Sequence, residues 1–545
     1  VITTGITKDK NKAATVALIL PLAPDRLYLV PMPVATSYPM SLLLSVDNAQ
    51  CRIGPHSMLK IDHFAIEKGQ HWCIFGPNGA GKSVLANLLA GSRIESGNYV
   101  TYAQNFDVAL DLHIVSFEEQ QRLWQRDNRL DISDFSASAQ DQGTLVEDLI
   151  RGVRTQVEQD NTLLLDLQQK LGLQALFSKG IRFLSSGQTR KVLIARALYA
   201  SRGEAPQLLI LDDPLESIDR DSREQISQCL KQHMTDGFCS LLLCRRQQDI
   251  LPGVSHLALM DRVGDELRIV EQGLLGEIAT GGGFARIVHR LPAMPDSLPP
   301  APEGRRANSQ STEPLIRLEN VTASYGELAV LRDIRWTMTA DHHVLIEGPN
   351  GCGKSTLLSL IDGENHKGYG QDVFLFGKRK GSGETVWDIK ARFGIVSNEL
   401  HNKYIKGWHV LDVVVSGFFD SVGLYDDSGA GESELAKQWL NTLGIEDLQQ
   451  HYYHEISFGQ QRMVLLARAM VKHPEILILD EPCVGLDDYH RSLILQTLDL
   501  IARKTDTNII YVSHVQGEKP DCINQKLSFV ESEAGGFTLE QSALH

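Results

Sequence analysis

Two glycine-rich segments with the pattern GxxxxGKS constrain this chain of 545 residues more than any other feature. They occupy residues 76–83 and 348–356, and each stands between a strand-like apolar run and a helical pattern. The glycines let backbone N–H groups approach a phosphate, while the lysine reaches β- and γ-phosphate oxygens and the next serine ligates Mg²⁺. The pattern therefore predicts two loops that hold the phosphates of a nucleoside triphosphate.

The two loops belong to a longer internal repeat. Each is followed by a Ser-x-Gly-Gln segment (residues 185–188 and 457–460) and by a buried-strand run ending in two acidic residues and proline (208–214 and 476–482). The loop lysine precedes the serine by 185 − 82 = 103 residues in one copy and 457 − 354 = 103 in the other. The next interval is 27 residues (212 − 185) against 23 (480 − 457), which fits a surface insertion at 201–204. The spacing indicates two copies of one fold.

The repeat divides the chain into four parts. Residues 41–285 and 315–545 form the two copies, and residues 286–314, rich in proline, serine and alanine, are predicted to be a flexible linker. Residues 1–40 are expected to be a disordered extension or to lie upstream of the functional start at Met40. Alternatively, the apolar run behind three lysines in this segment imitates a signal peptide.

Composition narrows the functional classes. A net charge of −15 argues against broad, sequence-independent binding of nucleic acid, which needs a basic face. The eight cysteines form no CxxC pair, which favours reduced thiols over a zinc site or a disulfide framework. No run approaches the about 20 apolar residues of a membrane helix. We expect a cytoplasmic protein, with peripheral attachment to the inner face of the plasma membrane as an alternative.

The three motifs, repeated in order over residues 41–545, resemble those of the ATP-binding cassette (ABC) ATPases. Segments 381–390 and 416–425 further resemble the ModF/PhrA branch, tandem cassettes associated by name with molybdate transport or photorepair; alternatively they only shape the second domain's subdomains. The resemblance implies an α/β fold with two P-loop NTPase domains in tandem. Each would have a RecA-like core with antiparallel β and helical subdomains, and the two would pack head to tail. Each ATP would lie between one P-loop and the other cassette's Ser-x-Gly-Gln signature.

Site two would combine the second P-loop with the first signature. The resemblance implies that Asp480 and Ser355 hold Mg²⁺, that Glu481 is the general base and that His514 is the switch histidine at the γ-phosphate. Tyr325 would stack on adenine; alternatively, Tyr325 and His514 are ordinary strand residues. Asp487 resembles the D-loop aspartate that acts across the interface. The residues assigned to ATP binding here are Tyr325, Gly348, Asn350, Gly351, Gly353, Lys354, Ser355, Thr356, Ser185, Gly187 and Gln188, with Lys354 also catalytic.

Site one would combine the first P-loop with the second signature. Its ATP-binding residues would be Gly76, Asn78, Gly79, Gly81, Lys82, Ser83, Ser457, Gly459 and Gln460, and its Mg²⁺ ligands would be Ser83 and Asp212. Three departures set it apart from the family. Ile53 stands where the adenine-stacking aromatic is expected, Asp213 is one methylene shorter than glutamate, and Arg245 or Arg246 replaces the histidine. A misplaced base loses orders of magnitude in rate, so we expect site one to bind ATP and hydrolyse it slowly or not at all.

Both halves lack a clear Q-loop glutamine, because the expected positions read Ser-Phe-Glu at 116–118 and Ser-Asn-Glu at 397–399. Asn398 or Glu399 could substitute, and the absence puts ordinary transporter coupling in doubt. A separate detail is Cys352 inside the second P-loop, where a helix N-terminus would lower its pKa; the alternative is a small residue that simply fits.

The resemblance implies an ATP hydrolase whose two cassettes close and open. The expected role is the ATP-binding component of a transport system with a separate membrane permease, and molybdate follows from the branch name alone. The alternatives are a non-transport ATPase acting on a ribosome, nucleic acid or regulatory partner, and a clamp that hardly turns over. Because both cassettes are on one chain, their pairing is intramolecular and a monomer suffices.

Overall fold

The computed structural model describes residues 41–544 with short gaps. The gaps are residues 55–56, 92–98, 130–142, 155–160, 201–205, 217, 235–237, 291–293, 296, 303–312, 326–327, 350, 364, 366–367, 405–406, 424–428, 514 and 516. The expectations for residues 1–40, Asn350 and His514 therefore lie outside the described residues. Tyr325 is described in its backbone only.

The first repeat forms one sheet with helices around it. Its strands are β1 Leu42–Gly54, β2 Ser57–Glu67, β3 His71–Phe75, β4 Val100–Tyr102, β5 Leu112–Val115, β6 Gln207–Asp212, β7 Phe238–Cys244, β8 His256–Val263 and β9 Glu266–Leu274. Its helices are α1 Lys82–Leu89, α2 Val108–Asp111, α3 Phe117–Arg129, α4 Val146–Arg151, α5 Asn161–Lys170, α6 Ser186–Tyr199, α7 Arg220–His233, α8 Leu275–Ala279 and α9 Gly282–Val288.

The second repeat forms a second sheet. Its strands are β10 Ile316–Tyr325, β11 Leu328–Met338, β12 Val344–Glu347, β13 Asp372–Leu375, β14 Lys378–Arg379, β15 Phe393–Val396, β16 Ile476–Asp480, β17 Asn508–Val512, β18 Gln525–Glu531 and β19 Phe537–Ala543. Its helices are α10 Lys354–Ile361, α11 Val386–Lys390, α12 Asn398–Lys403, α13 Val410–Val415, α14 Ala430–Thr442, α15 Phe458–Met470 and α16 Asp488–Lys504. Short 3₁₀ turns in the two repeats span Gly152–Arg154, Gln174–Leu176, Ile181–Phe183, Gln247–Asp249, Ser416–Phe418 and Glu446–Leu448.

The two sheets have the same strand order. The first runs β4-β1-β2-β9-β8-β3-β7-β6-β5, and the second runs β14-β13-β10-β11-β19-β18-β12-β17-β16-β15, so only the short β14 is additional. In each, the strand that leads into the P-loop lies between two parallel neighbours, and the outer strands form an antiparallel arm. Helices of each repeat pack against these strands. The prediction of two tandem α/β cassettes with an antiparallel β subdomain and a helical subdomain is confirmed.

The buried strands β6 and β16 explain why each sheet has a core on both faces. Successive side chains of a strand point to opposite faces. In β6, Leu209 and Leu211 join the core beneath the helical subdomain, while Leu208 and Ile210 join the core of the β arm. In β16, alternate residues divide between two clusters in the same way. A continuous apolar run is what a parallel strand covered on both faces requires, and its end brings the two acidic residues to the sheet edge.

The segment between the repeats makes contacts with both of them. Helix α9 continues past residue 285, and its Ile287 and Val288 pack against the first core. Met294 and Leu298 pack against the core of the second cassette. Described residues of the segment predicted to be a flexible linker thus contact both cassettes. In the described part of the chain, every helix is too short or too polar to cross a membrane.

Candidate functional site

The described residues of the two P-loops share two features, a glycine with positive φ and a lysine bonded to two loop carbonyls. Gly81 and Gly353, which precede the two P-loop lysines, have φ of 95° and 102°, a region that favours glycine. Lys82 Nζ donates hydrogen bonds to the carbonyls of Gly76 and Pro77 at 2.8 and 2.9 Å. The lysine of the second loop donates to the corresponding two carbonyls at 2.9 and 3.0 Å. Each loop therefore curls around a buried ammonium group, and its backbone N–H groups can bind phosphate oxygens.

Oxygen donors for a metal ion stand beside both loops. In the first cassette, Ser83 Oγ donates to Asp212 Oδ2 at 2.8 Å, which joins the start of α1 to the end of β6. In the second, Ser355 and Asp480 occupy the same positions on α10 and β16. Burial and the neighbouring Glu481 carboxylate raise the pKa of Asp480 to about 6, whereas the charge of Lys354 opposes this shift. A hydroxyl and a carboxylate suit a hard cation, so these residues fit Mg²⁺.

The second acidic residue of each pair sits in a strained turn. Asp213 and Glu481 have φ of 43° and 50°, in the left-handed region that residues with a Cβ rarely occupy. The N–H of each donates to a carbonyl at the end of the adjacent strand, Leu243 or Val512, at 3.1 Å. Strain of this kind persists where the surrounding structure holds it in place, and it clusters at functional sites. The two carboxylates thus have equivalent backbone positions despite the difference in side-chain length.

In the first cassette, an arginine forms an ion pair with the second acidic residue, Asp213. Arg245 Nη2 lies 2.9 Å from Asp213 Oδ2, and the same guanidinium pairs with Glu216. Although burial works against it, Asp213 and Glu216 raise the pKa of Arg245 above its ordinary value. Burial lowers the pKa of Lys82, Asp213 opposes this shift, and the charge of Arg245 adds to it. Asp213 Oδ2 is thus paired with Arg245, whereas Asp213 Oδ1 is buried without a hydrogen-bond partner among the described residues.

The two signature segments are helix N-termini. Ser185 and Ser457 cap α6 and α15, and each accepts from the N–H of Gln188 or Gln460 while that glutamine accepts from the serine N–H. A Cβ placed on Gly459 would lie 2.5 Å from the ring of His490, so only glycine leaves room there. A capped helix N-terminus with free N–H groups can donate to an anion.

The first P-loop contacts the second cassette. Asn78 N donates to Asp487 Oδ2 at 2.7 Å, and Asn78 Nδ2 donates to the Gly485 carbonyl at 2.8 Å. A Cβ built on Gly79 would lie 3.5 Å from the Cβ of Ser457 in the opposing signature. The structure therefore brings the first P-loop and the second signature together, in the head-to-tail arrangement.

The second P-loop and the first signature are less closely joined. Within the described residues, no hydrogen bond or ion pair links 348–356 to 185–188. Asn350, the counterpart of Asn78, is outside the described residues, as is His514. Ile53 lies on β1 with 38% of its surface exposed, so an aliphatic side chain stands where an aromatic was expected.

The two candidates for the glutamine position, Asn398 and Glu399, make different contacts. Asn398 Oδ1 accepts a hydrogen bond from Arg462, a fully buried residue of the signature helix α15. Glu399 instead pairs with Lys403 at 2.8 Å on an exposed face of α12. Of the two candidates for the glutamine position, Asn398 is thus the one that contacts the signature helix. The sequence pointed to Arg245 only as a replacement for the histidine and gave no sign of Arg462, because the partners of both arginines are distant in sequence.

Of the two interpretations of Cys352, the small residue that fits agrees with the structure and the lowered pKa does not. Its side chain is 0% exposed, and burial raises the pKa of the Cys352 thiol even though Lys354 opposes the shift. The helix N-terminus does not compensate for the loss of solvent. Cys352 is a small residue that fits beneath the loop.

Comparisons with known proteins agree with this geometry. The ABC transporter family model matches residues 59–216 and 331–484, which contain both P-loops, both signatures and both acidic pairs. The chain is 34% identical over 497 residues to the ABC transporter ATP-binding protein ModF of Escherichia coli, covering 88% of this chain and 95% of that protein. It is 25% identical to an uncharacterized ABC transporter ATP-binding protein of Schizosaccharomyces pombe, covering 85% and 93%.

Solved structures share the arrangement at low identity. The archaeal ribosome recycling factor aABCE1, in complex with the ribosomal stalk protein aP1, superposes with a TM-score of 0.57 at 16% identity, covering 91% of this chain and 90% of that one. RNase-L Inhibitor superposes with a TM-score of 0.53 at 17% identity and 90% coverage of both chains. Both similarities concern the fold.

Proposed function

Since the chain belongs to the ABC transporter family and its two ATP-binding domains make it an ATP hydrolase, we propose that hydrolysis takes place at site two and that site one holds ATP without efficient turnover. The observation that carries this proposal is the ion pair between Arg245 and Asp213. The equivalent Glu481 is longer and has the same strained backbone.

At site two, each residue has a separate task. Lys354 exchanges its two carbonyl partners for β- and γ-phosphate oxygens, and Ser185, Gly187 and Gln188 of the first signature face the γ-phosphate when the cassettes close. Glu481 accepts a proton from the attacking water as general base. Ser355 and Asp480 would hold Mg²⁺, which would supply positive charge beside the phosphate oxygens. Closure thus completes the site, and release of phosphate lets it open.

At site one, ATP would act as a structural ligand. Lys82 and the loop N–H groups bind its phosphates, and Ser83 with Asp212 provides the ligands for Mg²⁺. Asn78 and Ser457 already stand at the interface with the opposite cassette. An ATP held here favours the closed pair of cassettes, because it contacts both of them. The carboxylate of Asp213 meanwhile stays paired with Arg245.

We propose that the motion serves transport, with the chain as the ATP-binding component of a system whose permease is a separate protein. The support is its similarity to ModF, an ABC transporter ATP-binding protein. We place this work in the cytoplasm, at the inner face of the membrane that holds the permease. Molybdate remains the cargo that the branch resemblance implies, and no described contact supports a particular cargo.

The second candidate is a non-transport ATPase that acts on a ribosome, nucleic acid or regulatory partner. The observation that favours it is the bond between Asn398 and Arg462, where the family's transporters use a glutamine. Affinity purification of Glu481→Gln with ATP, which traps the closed form, separates the two. A permease in the purified complex supports transport; ribosomes or nucleic acid support the second candidate and reject the first.

A further inference from the structure

Arg246, next to the arginine of site one, reaches into the second cassette. Its Nε donates to the Leu486 carbonyl at 3.0 Å and its Nη2 donates to the Cys483 carbonyl at 2.8 Å. Its Nη1 lies 3.9 Å from Glu518 Oε2, and only 13% of its side chain is exposed. A single guanidinium of the first cassette thus contacts three points of the second.

Glu518 is the centre of a buried charge cluster. Its side chain is 4% exposed, and its Oε2 lies 2.8 Å from Nε of Arg491 on α16. Its Oε1 accepts from Ser513 Oγ at 3.5 Å. Two further hydrogen bonds link these residues: Glu518 N donates to the Val515 carbonyl at 3.2 Å, and Val515 N donates to Ser513 Oγ at 3.0 Å. The side chain and backbone of Glu518 therefore contact Ser513 and Val515.

The carbonyls that Arg246 contacts belong to the turn after Glu481. Cys483 is two residues beyond Glu481, and its thiol accepts from Tyr511 OH at 3.4 Å. Val484 N donates to the Glu481 carbonyl at 3.3 Å, and Leu486 N donates to the Cys483 carbonyl at 3.2 Å. Arg246 is thus joined by two hydrogen bonds to the turn that carries the strained base.

We propose that Arg246 and Glu518 are positioning residues for ATP hydrolysis at site two, an inference that rests on the proposed function. The arginine of the first cassette holds the turn after Glu481, and it faces Glu518, which contacts Ser513 and Val515 just beyond the end of β17. Hydrolysis at site two then depends on Arg246, a side chain of the first cassette that lies next to Arg245 of site one.

The chemistry of the two groups explains the choice of residues. A planar guanidinium presents several N–H donors in fixed directions, so it can bond to two carbonyls and face a carboxylate at the same time. A lysine ammonium is a point charge that cannot span these positions. Glutamine at 518 keeps the size and the bond to Ser513, but it removes the charge that faces Arg246 and Arg491.

The test is steady-state ATP hydrolysis by the full chain, with kcat and KM measured for the wild type, Arg246→Ala, Arg246→Lys, Glu518→Gln and Arg246→Ala/Glu518→Gln. Arg268→Ala is the matched control, because Arg268 is a first-cassette arginine in exposed ion pairs with Asp62 and Glu266. Thermal midpoints and binding of a fluorescent ATP analogue are measured on the same preparations.

We expect Arg246→Ala and Glu518→Gln each to lower kcat by at least about ten-fold with KM changed less than about two-fold, since displacement of a catalytic group by about 1 Å costs about 100-fold. Arg246→Lys should not restore the rate, and the double variant should fall no further than the slower single variant. Arg268→Ala should match the wild type.

Three outcomes overturn the inference. They are a kcat for Arg246→Ala within about two-fold of the wild type, a loss that appears only in KM, and effects of Arg246→Ala and Glu518→Gln that multiply in the double variant. If Arg246→Ala does not fold, Arg246→Lys and Glu518→Gln decide the question by the same criteria. Glu481→Gln separates the two proposals. If Glu481→Gln loses hydrolysis while Arg246→Ala keeps the wild-type kcat, only this inference is rejected. If Glu481→Gln hydrolyses ATP at the wild-type rate, the assignment of hydrolysis to site two is rejected.

Discussion

Arg245 forms an ion pair with Asp213, with 2.9 Å between Nη2 and Oδ2, and it also donates to the Gly485 carbonyl of the opposite cassette. The carboxylate of site one is therefore tied to the segment of the second cassette that follows Glu481. At site one, the shorter carboxylate thus has a cationic partner.

The two carboxylates should respond differently to amide substitution. We expect Glu481→Gln to lower the rate of ATP hydrolysis by at least about 100-fold, because general-base catalysis contributes about 10²–10⁴-fold. Asp213→Asn should change the rate less than about two-fold, because its carboxylate is already paired. Phosphate release under saturating Mg·ATP measures both. Equal losses in the two variants would contradict the assignment.

The two P-loop lysines should also differ. We expect Lys354→Ala to abolish turnover, since phosphoryl transfer depends on the positive charge at the β- and γ-phosphates. Lys82→Ala should mainly weaken ATP-dependent closure, because it removes a ligand of the ATP that holds the interface. Turnover is measured at saturating ATP, and closure by energy transfer between dyes on the two cassettes. Normal closure in Lys82→Ala would show that site one does not hold the pair together.

Removal of Arg245 should destabilise the protein. Asp213 and Glu216 would remain at a mostly buried site without their cation, and a buried pair that loses one partner costs about 3–5 kcal/mol. We expect Arg245→Met to lower the thermal midpoint by several degrees in the absence of nucleotide. The control is Arg268→Met, whose exposed pairs are worth about 1 kcal/mol or less. Equal midpoints for the two variants would show that the Arg245 pair adds no stability.

Thiol reagents should spare the second P-loop. Because Cys352 is fully buried and its thiol pKa is raised, we expect maleimide at pH 7 to leave ATP hydrolysis intact while the protein is folded. The rate of labelling should increase with pH, as more thiolate forms. Mass spectrometry of peptides from labelled protein identifies the modified cysteines, and Cys352→Ala is the control. Rapid inactivation that ATP prevents and Cys352→Ala abolishes would contradict this expectation.

Local patterns in the sequence were sufficient for the fold. The P-loops, the capped signature helices and the apolar runs of β6 and β16 each depend on neighbours in the chain, and their equal spacing predicted two copies of one cassette. The structure confirms this architecture through two sheets of the same strand order. The difference in length between Asp213 and Glu481 also indicated unequal sites, because it is visible without any tertiary contact.

Other features depend on the packing of distant residues. Sequence alone could not choose between Asn398 and Glu399, since the choice depends on Arg462, 64 residues further along the chain from Asn398. It could not choose between an acidic thiol and a small residue that fits at Cys352, because a helix N-terminus is a local feature while burial is not. The partners Asn78 and Asp487 are 409 residues apart, and Arg246 and Cys483 are 237 apart. Sequence by itself determined the motifs and their repetition; only the docking of the two cassettes decided which charges meet, because such contacts leave no periodic signal in the chain.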